Sequence, residues 1–99
     1  MLNITKNTNE TGLTVALTGR LDTTTAPELE KELKENLDGV TSLVIDMAGL
    51  EYISSAGLRV LLAVQKIMNK QGAMKVTHVN DVILEIIEVT GFSYILTIG

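Results

Sequence analysis

The sequence lacks several residue types and patterns that define whole classes of proteins. It has no cysteine, which excludes disulfides and thiolate chemistry. It has one histidine and only scattered carboxylates, so no set of metal ligands is recognisable. No apolar run reaches the ~20 residues that a membrane-spanning helix needs, and no targeting segment opens the chain. We therefore expect a cytoplasmic protein that holds no metal or other cofactor.

Cationic and aromatic residues are also scarce. The net charge is −4, with 8 Lys and Arg against 12 Asp and Glu, and only Tyr52, Phe92 and Tyr94 are aromatic. Nucleic-acid binding usually needs a basic patch, and single strands are bound by stacking on aromatic side chains. We therefore expect neither nucleic acid nor a membrane surface as a partner, which leaves proteins.

What the chain does have is the composition of an ordinary globular protein. Its 99 residues are 45% hydrophobic and 20% charged. A chain of this length fits one domain with one core. We expect a single domain over residues 1–99, acting as a monomer.

Apolar periodicity predicts alternating strands and helices. The predicted order is β-β-α-β-α-β-α-β, with strands at 2–4, 13–18, 43–45, 74–79 and 94–98. A first helix begins with the capping-box pattern Thr25-Ala26-Pro27-Glu28 and ends at Gly39. A second runs over about 55–71, and a third is capped by Asn80 or Asp81 and ends at Gly91.

This order predicts an α/β fold with a mixed, mostly parallel sheet of about five strands and three to four helices. The short apolar run at 43–45 suits a strand buried on both faces. Functional residues in such sheets collect at the carboxyl ends of strands. This rule selects residues 19–25, 46–55 and 79–81.

The segment at 46–58 joins the buried strand to the second helix. Its residues at 54–57 are all small, and they leave the amino terminus of the helix uncrowded. Free N–H groups and the helix dipole favour an anion at such a terminus. Either Ser54 or Ser55 serves as the N-cap. Taken alone, these residues are more often explained by plain capping with close packing at Gly57, since serine caps are very common.

Three motifs resemble one protein family. Ser54-Ser55-Ala56-Gly57-Leu58 is similar to the Asp-Ser-(Ser/Thr)-Gly-Leu signature of bacterial anti-sigma factor antagonists, which are stand-alone STAS domains. Gly19-Arg20-Leu21-Asp22 is similar to the family's Gly-x-Leu-Asp loop, and Leu43-Val44-Ile45-Asp46 matches the strand before the signature. The motifs are in register, and the order of elements agrees over essentially the whole chain.

The resemblance implies specific roles. Ser55 matches the phosphorylated serine, while Ser54 stands where the family usually has aspartate and is the second candidate for modification. Asp22 and Asp46 match acidic residues near the phosphoserine. Ala56 replaces the usual second Ser or Thr. The partner surface would comprise Asp22, Asp46, Gly57, Leu58 and Leu62.

The resemblance also implies a function. The unphosphorylated protein would bind an anti-sigma factor serine kinase of the GHKL type and so free a sigma factor. Phosphorylation by that kinase would end binding, and a serine phosphatase would reset the switch. The alternative from the same family is an adaptor subunit of a transporter or sensory complex that is not phosphorylated.

The helical wheel is the reason for placing Leu58 and Leu62 on this surface. At about 100° per residue, both fall opposite Val60, Leu61 and Val64, among polar side chains. They form either a partner patch or a contact with the 20–25 loop or the first helix.

Catalysis is not expected. A nucleophilic serine needs a base, and His78 is the only histidine. We expect His78 to be a half-buried residue of the fourth strand. Asp22 and Asp46 have no converging acid or base.

Overall fold

The computed structural model describes residues 2–98. Its strands are β1 (Leu2–Asn9), β2 (Gly12–Leu21), β3 (Ser42–Ile53) and β4 (Ala73–Thr77). Its helices are α1 (Ala26–Asn36), α2 (Ser55–Gln71) and α3 (Asp81–Val89), followed by a 3-10 turn at Phe92–Tyr94. Within this range no helix is both long enough and apolar enough to span a bilayer.

The strands form one mixed sheet in the order β1-β2-β3-β4. β1 and β2 are an antiparallel hairpin, whereas β2 with β3 and β3 with β4 are parallel. The two parallel pairs are joined by α1 and α2, as crossovers require. The predicted α/β class and mostly parallel sheet are therefore confirmed.

The predicted fifth strand at 94–98 is wrong. The N–H groups of Tyr94, Ile95 and Leu96 donate to carbonyls of Gly91 and Phe92 within the same turn. These local hydrogen bonds leave little backbone to pair with β4. The end of the described chain meets β4 through an isolated parallel bridge between Ile98 and Val76, where the Val76 N–H donates to the Thr97 carbonyl at 2.8 Å.

Among residues 2–98, the helices cover only one face of the sheet. Along β3, Leu43, Ile45 and Met47 are buried, whereas Val44 and Asp46 between them are half exposed. Successive side chains on a strand point to opposite faces, so the helices form a single layer. The expectation that this strand is buried on both faces is wrong.

The start of α1 also differs from the predicted capping box. Thr25 lies at the N-cap, but its side chain makes no capping hydrogen bond. Its hydroxyl instead donates to the carbonyl of Arg20 and accepts from the N–H of Asp22. Thr25 therefore closes the loop before the helix, while Pro27 occupies the first turn as predicted.

Candidate functional site

The site is built where β3 ends and α2 begins. The N–H of Ser54 donates to the Leu21 carbonyl at 2.9 Å, which ties the junction to the end of β2. Ser54 has extended backbone angles, and its Oγ accepts from the N–H of Gly57 at 3.4 Å. Of the two serines offered by the sequence, Ser54 is thus the N-cap.

Ser55 is the first residue of α2, and its side chain is exposed. Among residues 2–98, no group forms a hydrogen bond with its hydroxyl. Free N–H groups of the first helical turn surround this position. The arrangement leaves Ser55 accessible and Ser54 half-buried and in use as a cap.

Asp22 lies in the loop that follows Leu21, next to the junction. Its Oδ1 accepts from the hydroxyl and the N–H of Thr24, at 2.7 and 3.0 Å, and from the N–H of Thr25 at 3.2 Å. These bonds favour the charged carboxylate, so they lower the pKa of Asp22, with the Thr24 hydroxyl as the largest cause. The site thus carries a fixed negative charge near Ser54.

An arginine and a tyrosine lie beside this loop. Arg20 and Tyr52 are paired across β2 and β3, and the guanidinium lies 4.6 Å from the centre of the Tyr52 ring. Arg20 Nε is also 3.8 Å from Asp22 Oδ2. The cation is therefore held over the ring and next to the carboxylate.

Gly57 is where α2 approaches the sheet closely. A Cβ at this position would lie 2.7 Å from Leu21 Cγ and 3.0 Å from Ile53 Cγ1. Any side chain would push α2 away from the strands. Gly57 is buried, so the structure supports close contact with the sheet at this residue rather than direct contact with a partner.

A groove runs between the first turns of α1 and α2, beside the serines. It has a volume of about 320 Å³ and is lined by Thr23, Ala26, Pro27, Glu30, Ala56, Arg59 and Val60. Arg59 is exposed and is the only cation of this lining.

Asp46 is not near Ser55. It is paired with Ala16, whereas Ile53 at the junction is paired with Leu21, five positions further along β2. At ~3.3 Å per residue, this register separates Asp46 from the junction by about 16 Å along the strand. Asp46 instead contacts His78, with 3.0 Å between Oδ1 and Nδ1. The resemblance located Asp46 wrongly because β3 continues well beyond it.

His78 also differs from its prediction. It lies just after β4, is exposed, and has a φ of 56°. It is therefore not a half-buried strand residue.

Leu58 is part of the core, and its assignment to a partner surface is wrong. It is 1% exposed and belongs to the same buried cluster as Leu61, Ile83 and Ile87. The buried side of α2 also includes Gln65, so it is wider than the wheel of apolar residues suggested. Leu62 lies beyond this buried arc and is half-buried, so its role as a partner contact stays a prediction.

Comparison with known proteins identifies the family. The family model described as "Mlab, STAS domain" matches residues 4–97. The chain belongs to the STAS domain family. The predicted resemblance is therefore confirmed.

Two curated relatives of this STAS domain are described as anti-sigma factor antagonists. BtrV of Bordetella bronchiseptica, described as an anti-sigma factor antagonist, is 36% identical over 89 residues, covering 88% of this chain and 77% of BtrV. The anti-sigma-B factor antagonist of Bacillus subtilis is 26% identical over 99 residues, covering 99% of this chain and 91% of the relative. The chain thus belongs among the anti-sigma factor antagonist STAS domains.

Solved structures share the fold. An anti-sigma factor antagonist from Mycobacterium paratuberculosis superposes with a TM-score of 0.89 at 24% identity, covering 99% of this chain and 85% of that one. SpoIIAA in its unphosphorylated form gives 0.78 at 12% identity, covering 98% and 87%. The phosphorylated Bacillus SpoIIAA gives 0.76 at 12% identity, covering 98% and 91%. Both forms of SpoIIAA have the fold of this STAS domain.

Three polar residues of the site were missed by sequence reasoning. Thr24 fixes Asp22, Arg20 lies over Tyr52, and Arg59 lines the groove. The spacing of Ser55 and Arg59, one helical turn apart, was a readable signal for the last of these. The contacts of Arg20 and Thr24 depend on strand register and loop geometry, which no local pattern reveals.

Proposed function

We propose that this STAS domain is a non-enzymatic anti-sigma factor antagonist that binds an anti-sigma factor serine kinase of the GHKL type. It binds while unphosphorylated, and phosphorylation of Ser55 ends the binding. A serine phosphatase resets the switch. The protein acts in the cytoplasm as a monomer, and its effect on transcription is indirect. The observation that carries the proposal is the exposed Ser55 hydroxyl at the first position of α2.

A phosphate at this position is compatible with the fold. It adds a charge of about −1.5 to −2 near neutral pH. The N–H groups and the dipole at the start of α2 stabilise negative charge there. Because Ser55 is exposed and contributes no capping bond, modification removes no contact from the core.

The same phosphate should weaken the binding of a partner that docks over Ser55. Closing an interface over Ser55 requires the phosphate to lose water beside the charged Asp22. A thousandfold loss of affinity corresponds to about 4 kcal/mol. Like-charge contacts at an interface can supply a penalty of several kcal/mol. The domain survives its own modification, and the complex does not.

Ser54 is the poorer acceptor. Its Oγ accepts the N–H of Gly57 and caps α2, and its side chain is half-buried. Phosphorylation there would replace the cap, whereas phosphorylation of Ser55 leaves it in place.

Binding measurements on Ser55 variants test the switch. Ser55→Ala should bind the cognate kinase as the parent does but resist modification. Ser55→Asp should fold normally and bind at least tenfold more weakly, measured by titration calorimetry. Ser42→Asp is the matched control, since Ser42 is an exposed serine at the far end of β3. If Ser55→Asp binds as tightly as the parent, the switch is refuted.

Mass spectrometry after incubation with the kinase and ATP locates the phosphate. We expect a single phosphate on Ser55, and a cognate serine phosphatase should remove it. A phosphate on Ser54 alone would reassign the acceptor. No phosphate on either serine would favour the alternative role as an adaptor subunit of a transporter or sensory complex.

Leu62 provides a separate test of the docking surface. Leu62→Glu should weaken kinase binding with little change in melting temperature, because this side chain is only half-buried. Thermal unfolding of the variant is the control. A large drop in melting temperature would assign Leu62 to the core and remove it from the interface.

A further inference from the structure

We propose that Arg59 binds a carboxylate of the partner and that a phosphate on Ser55 withdraws Arg59 by pairing with it along the helix. The inference rests on the proposed function and specifies the chemistry of the partner surface. The partner would present an Asp or Glu side chain to the groove between α1 and α2.

Among residues 2–98, the guanidinium of Arg59 has no ion-pair partner. It is exposed, and none of the ion pairs found within residues 2–98 includes it. Glu30, the carboxylate in the same groove, is paired with Lys34 at 3.4 Å along α1. Arg59 therefore lines the groove as a cation whose charge is not balanced by a described neighbour.

The positions of the two arginines also favour Arg59 as the residue that contacts a partner. Arg20 and Arg59 are the only arginines of the chain, and both lie around the junction that holds the serines. Arg20 is held over Tyr52 and near Asp22. Arg59 is thus the arginine left for a partner. Its planar guanidinium can bind a carboxylate through two parallel hydrogen bonds, which lysine cannot do.

Ser55 and Arg59 are separated by one helical turn on α2, at positions i and i+4. Side chains at i and i+4 are neighbours on a helix, with Cβ atoms about 5–6 Å apart. An acidic group at i with a cation at i+4 is the favourable orientation. A phosphate on Ser55 is therefore within reach of Arg59 without any change of backbone.

The partner's carboxylate and a phosphate on Ser55 therefore compete for Arg59. In the unphosphorylated protein, Arg59 is available to the partner's carboxylate. After phosphorylation, the guanidinium pairs with the phosphate, so the partner loses its anchor and meets new negative charge. Part of the effect of a charge at residue 55 must then act through Arg59.

A double-mutant cycle measures that part. Binding of the kinase is compared for the parent, Ser55→Asp, Arg59→Gln and the double variant. Arg59→Gln should weaken binding about tenfold, and Ser55→Asp should weaken it by a clearly smaller factor in the Arg59→Gln background than in the parent. Lys66→Gln is the matched control because Lys66 is an exposed cation on the same side of α2, two turns further on. It should bind as the parent does.

The outcomes separate this inference from the proposed function. If Arg59→Gln binds as tightly as the parent while Ser55→Asp still weakens binding, Arg59 is not the anchor and the switch stands. If the two effects multiply without coupling, the competition is refuted. If Ser55→Asp has no effect, the switch and the inference both fail. Arg59→Lys keeps the charge, and it should restore only part of the affinity lost in Arg59→Gln.

Discussion

Asp22 illustrates how one residue near the site is fixed by its neighbours. The Thr24 hydroxyl is the largest cause of its lowered pKa, so Thr24→Val should raise the Asp22 pKa toward 3.8. A titration of the Asp22 carboxyl followed by NMR measures the change. Thr23→Val is the control, because the adjacent exposed Thr23 makes no hydrogen bond to Asp22 within the described chain. An unchanged pKa in Thr24→Val would show that the backbone N–H groups and the Thr25 hydroxyl hold the carboxylate without the Thr24 hydroxyl.

The lowered pKa of Asp22 also determines how the stability of the domain changes with pH. A pKa lowered on folding contributes stability above the unfolded value of the group, and this contribution is lost as pH falls through the folded pKa. The stability difference between the parent and Thr24→Val should therefore be present at neutral pH and disappear in acid below the folded pKa of Asp22.

Individual residues also show the limits of the sequence. Ser54 and Ser55 were recognisable because small residues next to a helix start are a local signal. Asp46 was misplaced because its position depends on how far β3 continues. Leu58 was misplaced because a helical wheel gives the direction of a side chain but does not tell which other elements cover it.

At the scale of elements, α2 was the best predicted helix, since Ser54 and Gly72 mark its two ends. Its buried arc was not. We expect Leu58→Ala to lower the free energy of unfolding by about 2–5 kcal/mol, the range for truncating a buried leucine. Leu62→Ala, four residues away on the same helix, should cost clearly less because Leu62 is half-buried. Urea unfolding of both variants measures the difference, and equal losses would contradict the burial of Leu58 in the core.

The predicted fifth strand shows why the end of the chain was harder to predict. Apolar β-formers at 94–98 gave a strand pattern, but a strand exists only when a partner edge accepts its hydrogen bonds. The local turn at Phe92–Tyr94 takes those bonds first. Whether this segment forms a strand depends on a competition for its backbone N–H groups between nearby carbonyls and the edge of β4. The sequence pattern carries no information about that competition.

For the whole molecule, the order of elements was sufficient to give the α/β class, because crossovers between parallel strands constrain the topology strongly. The number of layers was not predictable in the same way. A run such as Leu43-Val44-Ile45 is apolar at every position, so the sequence does not indicate which face of the strand is covered by helices. Only the structure shows that α1 and α2 connect the parallel strands on one side and leave Val44 half exposed.

Because the helices form a single layer, substitutions at neighbouring positions of β3 should differ in how much they lower the free energy of unfolding. Ile45→Thr places a hydroxyl in the core at a fully buried position and removes apolar volume, so we expect a loss of about 3 kcal/mol in the free energy of unfolding. Val44→Thr keeps the branched shape on the opposite, open face and should cost less than about 1 kcal/mol. Denaturant unfolding of the two variants measures the contrast at adjacent positions of one strand. Similar losses in both would mean that the second face of the sheet is covered in solution, for example by another copy of the chain.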